Sequence, residues 1–179
     1  FGLVAYLAMQ RSPRRQRLGD RHARTLVLHR RDLPEAARRR PATVAHGILV
    51  LKLAPQALLG AVTALRNEFA FDLFLDVTAV DWPGKTPRFE VVYHFYSTQH
   101  FGRVRLKTRV AEQDPTVDSL VPLYGSARFM ERECHDMYGI VFRGNADLRP
   151  ILLYEGFEGH PLRKDYPKER EQPLVPYRK

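Results

Sequence analysis

RFEVVYHFYSTQHFGRVRLKTRV, residues 88–110, decides the fold. Its second half alternates without a break: Arg103, Arg105, Lys107 and Arg109 fall on one side, and Val104, Leu106, Thr108 and Val110 on the other. A period of two marks a strand, because successive side chains point to opposite faces of a sheet. The first half alternates too, with Phe89, Val91, Tyr93 and Phe95 on one face and Glu90, Val92, His94 and Tyr96 on the other. Residues 97–102 between the halves contain Gly102 and have the length of a hairpin loop. The stretch predicts two antiparallel strands. Their basic, solvated face suits an antiparallel sheet better than a buried parallel one.

Working outward, Leu73–Val80 and Gly47–Leu53 are further runs of β type. Between them, Leu58, Val62, Leu65 and Phe69 lie at i, i+4, i+7 and i+11, one face of a helix over 54–69. A second helix is predicted over 126–138. Met130, Cys134, Met137 and Tyr138 form its apolar face, Ser126 is its expected N-cap and Gly139 its left-handed stop. The expected fold class is α+β: a small, mostly antiparallel sheet covered by helices, followed by a long irregular C-terminal arm. Residues 1–43 read as an arginine-rich N-terminal extension, 44–138 as the α+β domain and 139–179 as an extended partner-binding arm.

Bulk properties fit one domain with appendages: 179 residues, of which 44% are hydrophobic. No apolar run reaches the roughly 18 residues of a spanning helix. The single cysteine, Cys134, excludes an internal disulfide. It also excludes an iron–sulfur cluster held by this chain alone, which takes about four thiolates. Charge is lopsided: residues 1–41 hold eleven arginines and three acidic residues, whereas the remainder is nearly neutral. A solvated basic arm, an organelle-import segment trimmed before Phe1, and nucleic-acid binding all remain open for that extension.

The helix 126–138 carries Glu131, Arg132, Glu133, His135 and Asp136. Cys134, His135 and Asp136 do not make a metal site, because neighbouring residues on a helix point about 100° apart. Beyond Gly139 the chain loses all periodicity. The stretch from Gly156 to Lys164 has the glycines of a phosphate loop but not its spacing, and Pro161 removes an amide donor. Leu148, Ile151, Leu152, Leu153, Phe157 and Leu162 are too many large apolar groups for a disordered tail. A long loop so anchored either wraps its own domain or embraces another subunit. Acids on the helix (Glu131, Glu133, Asp136) are expected to pair with bases on the arm (Arg149, Arg163, Lys164).

Three segments carry a resemblance: SARFMERECHDMYGIVF (126–142), ADLRPIL (146–152) and GFEGHPLRKDYP (156–167). In this order and spacing they strongly resemble the 30 kDa subunit family of respiratory complex I, the proton-pumping NADH:ubiquinone oxidoreductase. FLDVTAVDWP (74–83) and RFEVVYHFYS (88–97) look like the family's sheet. The chain departs from the family pattern at Arg128–Phe129, where Asn-Trp is usual, at Cys134–His135, at Asn145–Ala146 and at Pro150.

The resemblance implies a structural subunit of the peripheral arm with no flavin, cluster or quinone of its own, clamping the 49 kDa-type subunit. Such a subunit belongs to the respiratory chain of the mitochondrial inner membrane, on the matrix side and peripheral to it, as part of a translocase whose catalytic residues lie elsewhere. No catalytic, cofactor or metal residue is expected here. The expected partner interface is Glu131, Glu133, Asp136, Arg149, Leu152, Phe157, Leu162, Arg163, Lys164 and Asp165. Two alternatives are a basic organellar RNA-binding protein that uses Arg103, Arg105, Lys107 and Arg109, and a subunit of a related hydrogenase-like or plastid complex.

Overall fold

The structure is a computed structural model that describes residues 48–173, together with the strand backbones of 5–6, 27–28 and 42–45. The readings of the arginine-rich extension fall almost wholly outside the described residues. In chain order the elements are β1 (Ala5–Tyr6), β2 (Val27–Leu28), β3 (Ala42–Ala45), β4 (Ile48–Leu53), α1 (Leu58–Asn67), β5 (Leu73–Asp81), β6 (Phe89–Tyr96), β7 (Arg103–Val110), β8 (Thr116–Asp118), α2 (Ala127–Tyr138) and β9 (Val141–Arg143).

The hairpin of residues 88–110 forms as the alternation predicts. β6 pairs antiparallel with β7, Phe89 opposite Val110 and Tyr96 opposite Arg103. Its apolar face, Phe89, Val91, Tyr93, Phe95, Val104 and Leu106, is the centre of the core. Each such side chain, taken fully out of water, contributes about 1.5–3 kcal/mol. β5 pairs antiparallel with β6, with a register shift between Phe74 and Asp76. α1 covers this inner face with Leu58, Ala61, Val62 and Leu65, three of the four being the predicted stripe. Phe69, expected on that stripe, lies past the helix end and packs at the edge of the core.

Two features differ from expectation. The sheet order is β3-β4-β7-β6-β5, and β4 runs parallel to β7. Since β7 and β5 are both antiparallel to β6, β4 and β5 point the same way. They form a βαβ unit through α1 whose two strands are separated by the inserted hairpin. The sheet is therefore mostly, but not wholly, antiparallel. The outer face is also less solvated than its charges suggest: Glu90 and Val92 are buried. Lys107, opposite Val92 in register, reaches across to Glu90 with its ammonium 2.6 Å from the carboxylate. Long basic side chains lie along a sheet face and cover it.

Candidate partner interface

Helix α2 organises everything that follows it. Gly139 ends the helix at φ 72°, as expected. It has a second role: a Cβ there would overlap the Arg163 guanidinium and the His160 ring. Only a residue without a side chain lets the chain return so closely over the helix end. Ser126 does not cap the other end by its hydroxyl; it is itself helical in conformation. The first amides instead bond to carbonyls three residues back, Ala127 to Tyr124, Arg128 to Gly125 and Phe129 to Ser126. These tight-turn bonds remove the need for a side-chain cap.

The arm is tied to α2 residue by residue. Glu131 is completely buried; it accepts from the Leu120 amide and the Ser119 hydroxyl, both at 2.7 Å, and from the Asn145 side chain at 2.9 Å. Burial pushes its carboxyl up, against the downward pull of those three donors. Arg132 donates to the carbonyls of Arg149 at 2.8 Å and Pro150 at 2.7 Å. One oxygen of Asp136, Oδ2, accepts the amides of Ile151, Leu152 and Leu153 at 2.7, 3.0 and 3.3 Å. Beyond it, the Asp136 carbonyl meets His160 Nδ1 at 2.9 Å, the Met137 carbonyl accepts the Leu162 amide at 3.1 Å, and the Tyr138 carbonyl accepts Arg163 Nε at 2.7 Å. The helix side chains and its last unpaired carbonyls thus hold the backbone of 149–163.

The arm then reaches the end of the sheet. Asp81, the last residue of β5, is buried and gripped by Arg88 in a two-pronged contact at 2.7 and 2.8 Å. The Lys164 amide donates to the same carboxylate at 2.8 Å, and Arg88 also bridges Asp165 at 2.9 Å and Glu112 at 2.5 Å. The Arg88 bond holds the Asp81 and Asp165 carboxyls below the usual range and pushes the guanidinium up. Arg163 lies over the Phe89 ring, 5.0 Å from its centre.

The expected pairing of helix acids with arm bases is not what the geometry contains. Glu131 and Asp136 serve backbone and neutral donors, Arg149 pairs with Asp147 at 2.7 Å, and Glu133 is exposed. The reason is valence: an acid at the buried side of α2 is surrounded by amides that need acceptors, and those amides are fixed while arginine side chains are free to reach water. Phe157 is half-buried, stacked on Tyr166 and edge-on to Tyr154. Ile151, Leu152 and Leu162 remain in water, 38%, 60% and 47% exposed.

Asp81, Arg88, Arg132 and His160 were absent from the expected interface. Asp81 left a trace: it continues the inward series Val77, Ala79, and an acid aimed at a core demands a partner. Among the described residues no group of three or more His, Cys, Asp or Glu is placed to hold a metal ion, and no helix is long and apolar enough to cross a membrane. The hairpin's basic stripe is partly neutralised in place, with Lys107 and Arg109 both on Glu90 at 2.6 and 3.6 Å.

Residues 51–172, which contain most of the sheet, α2 and most of the arm, match the family described as respiratory-chain NADH dehydrogenase, 30 Kd subunit. The chain belongs to this family. It is 48% identical over 128 residues to an NADH-quinone oxidoreductase subunit of Agrobacterium fabrum, covering 70% of this chain and 64% of that one. It is 47% identical over 121 residues to the mitochondrial NADH dehydrogenase [ubiquinone] iron-sulfur protein 3 of Candida albicans, covering 66% of this chain and 43% of that one. The chain therefore spans less than two thirds of the length of these relatives. Among solved structures it is similar to the trypsin-resistant fragment of Nqo5, with a TM-score of 0.56 and 30% identity over 63% of this chain and 92% of that one. A chain in an archaeal membrane-bound sulfane sulfur reductase superposes with a TM-score of 0.65 and 26% identity, covering 73% and 78%. As a member of the 30 kDa family, the protein has its three family motifs in one place: the first builds α2, and the other two lie along it.

Proposed function

We propose that the chain is a structural subunit of the peripheral arm of a proton-pumping NADH:ubiquinone oxidoreductase, and that it grips the neighbouring 49 kDa-type subunit with the outer side of its arm. The observation that carries the reading is a division of labour within residues 149–165. Backbone groups turn inward to α2 and Asp81, and the Asp165 carboxylate turns to Arg88, while Ile151, Leu152 and Leu162 point to solvent. An irregular segment fixed from behind, with large apolar side chains held outward, is built to be covered.

Its own chemistry is consistent with a non-catalytic role. Cys134 is buried, with its thiol pushed up by that burial, which suits packing and not cluster ligation or nucleophilic attack. Flavin and iron–sulfur clusters are assigned to neighbouring subunits. The Candida albicans relative and one from Candida maltosa are mitochondrial by name, which supports a mitochondrial location; the matrix side of the inner membrane, held there through partners, is the place assigned in this proposal.

The test is affinity purification of the tagged chain from mildly solubilised membranes. The expected result is co-purification with proteins that carry flavin and iron–sulfur signals and oxidise NADH with a quinone. Recovery of the chain alone, or with RNA in their place, overturns the reading.

A further inference from the structure

A groove of about 660 Å³ lies on the side of the sheet away from α1, at the end where β4 and β7 meet the turn after β5. Lys52, Lys85, Lys107 and Arg109 line it, with Glu90 as the single carboxylate. Its apolar part is Trp82, 38% exposed, with Pro55 and Pro87 beside it. Glu90 is engaged by Lys107 and Arg109, so Lys52 and Lys85 face the groove without a carboxylate partner among the described residues. The volume is in the usual range for a ligand pocket, about 300–1,000 Å³. Four cations around one acid, brought together from separate strands and a turn, leave an excess of positive charge in a concave site, where fields are strongest.

We infer that this groove docks an acidic segment of a partner protein, at a surface separate from the apolar side of the arm. The inference rests on the reading of the chain as an assembly subunit. Charge favours an acidic partner as occupant: residues 1–41 carry eleven arginines against three acids, and residues 174–179 carry Arg178 and Lys179 and no acid, so neither stretch is complementary to the groove. The lining also favours a peptide over a nucleic acid. Lys85 lies over the Trp82 ring at 4.6 Å, occupying a face on which a base would stack. A peptide can lay an aliphatic stem along Trp82, Pro55 and Pro87 and direct its carboxylates to Lys52 and Lys85.

Trp82 is the only tryptophan of the chain, so its emission reports the groove directly. The arginine-rich extension also attracts acids; binding alone therefore does not decide, and the Trp82 signal does. The full chain is titrated with a synthetic peptide of alternating Glu and Leu, with its Gln counterpart, with single-stranded oligonucleotide and with inorganic phosphate. The Glu peptide should shift Trp82 emission, and the affinity should fall several-fold between about 50 and about 300 mM salt as screening shortens. Lys52→Glu combined with Lys85→Glu should weaken that response by about tenfold or more, with an unchanged circular dichroism spectrum. Retention of the full response by that double variant overturns the inference, as does a silent Trp82, or an oligonucleotide or phosphate that shifts Trp82 at least as well. If the double variant fails to fold, Lys52→Gln and Lys85→Gln, made singly, each have to lower the response. A variant that loses the Trp82 response but still co-purifies with its neighbours through the arm leaves the proposed function standing.

Discussion

Replacing Asp136 tests whether α2 holds the arm. Oδ2 of this buried residue accepts three amides, two at 2.7 and 3.0 Å and a longer one at 3.3 Å. A hydrogen bond to a charged group is worth about 1.5–3 kcal/mol. Three donors share one oxygen, and the segment is only partly buried, so water replaces part of what is lost. Discounting each of the two shorter bonds to about 1–2 kcal/mol for that replacement gives about 2–4 kcal/mol of arm docking for Asp136→Ala. Asp136→Asn keeps a neutral acceptor and should lose about half of that. The helix itself should survive: an acid in the last turn opposes the dipole, and its removal returns about 0.3–1 kcal/mol to α2. The assay is amide hydrogen exchange. At about 1.4 kcal/mol per tenfold, the amides of Ile151, Leu152 and Leu153 should exchange about 30- to 700-fold faster in Asp136→Ala. Amides of β6 and β7 should be unchanged. Unaltered protection at 151–153 would refute the reasoning, and equal loss across the sheet would show that Asp136 supports the core.

Three further outcomes are expected. Gly139→Ala adds about 1–2 kcal/mol of left-handed strain and a collision with His160 and Arg163, so it should lower the melting temperature and expose the arm to protease; a wild-type melt and digest would show that the arm does not pack as described. Leu152→Ser should alter the melting of the free chain by no more than about 0.5 kcal/mol, as surface changes do, while cutting the abundance of the assembled enzyme on native gels; full assembly would remove Leu152 from the interface. His160 is half-buried and beside Arg163 and His135, and its pKa is lowered from 6.5 chiefly by that burial. The unfolded or undocked ring therefore takes up its proton first, so the stability contributed by neutral His160 is present above about 6.5 and is lost as pH falls below it; protection of the Leu162 and Arg163 amides, corrected for intrinsic exchange, should drop across that window and stay flat in His160→Asn.

The hairpin, both helices and the glycine stop were legible because each depends on a local period or a single conformational preference. Val104, Leu106 and Val110 face the core as their alternation requires, and Gly139 is left-handed as a helix stop requires. The parallel pairing of β4 with β7 was not legible, since nothing in Ile48–Leu53 records which strand, about fifty residues later, lies beside it. The arm's course was legible only as a need for cover. Its ties join residues such as Asp81 and Lys164, 83 positions apart, and they use backbone amides, which every residue except proline possesses and no sequence pattern marks. The acids of α2 were singled out for the right reason, their density, but assigned to the wrong partners, because burial of Glu131 and Asp136 is a tertiary fact.

The tie between Lys164 and Asp81 has a consequence for the order of events during synthesis. Asp81 is in place only once β5 has paired, and α2 is in place only once it has packed on the sheet. The amides of 151–153 and 164 therefore find their acceptors only after β5 has paired with β6 and α2 has packed on the sheet, contacts between distant parts of the chain that form slowly. Until then Ile151, Leu152 and Leu162 are presented at no fixed spacing, and a neighbour that recognises their arrangement has nothing to recognise. On the proposed reading of the arm as the partner surface, it works as a maturation mark: the chain becomes adhesive there only when the interior beneath it is finished, and a newly made or damaged copy is passed over without a separate inspector.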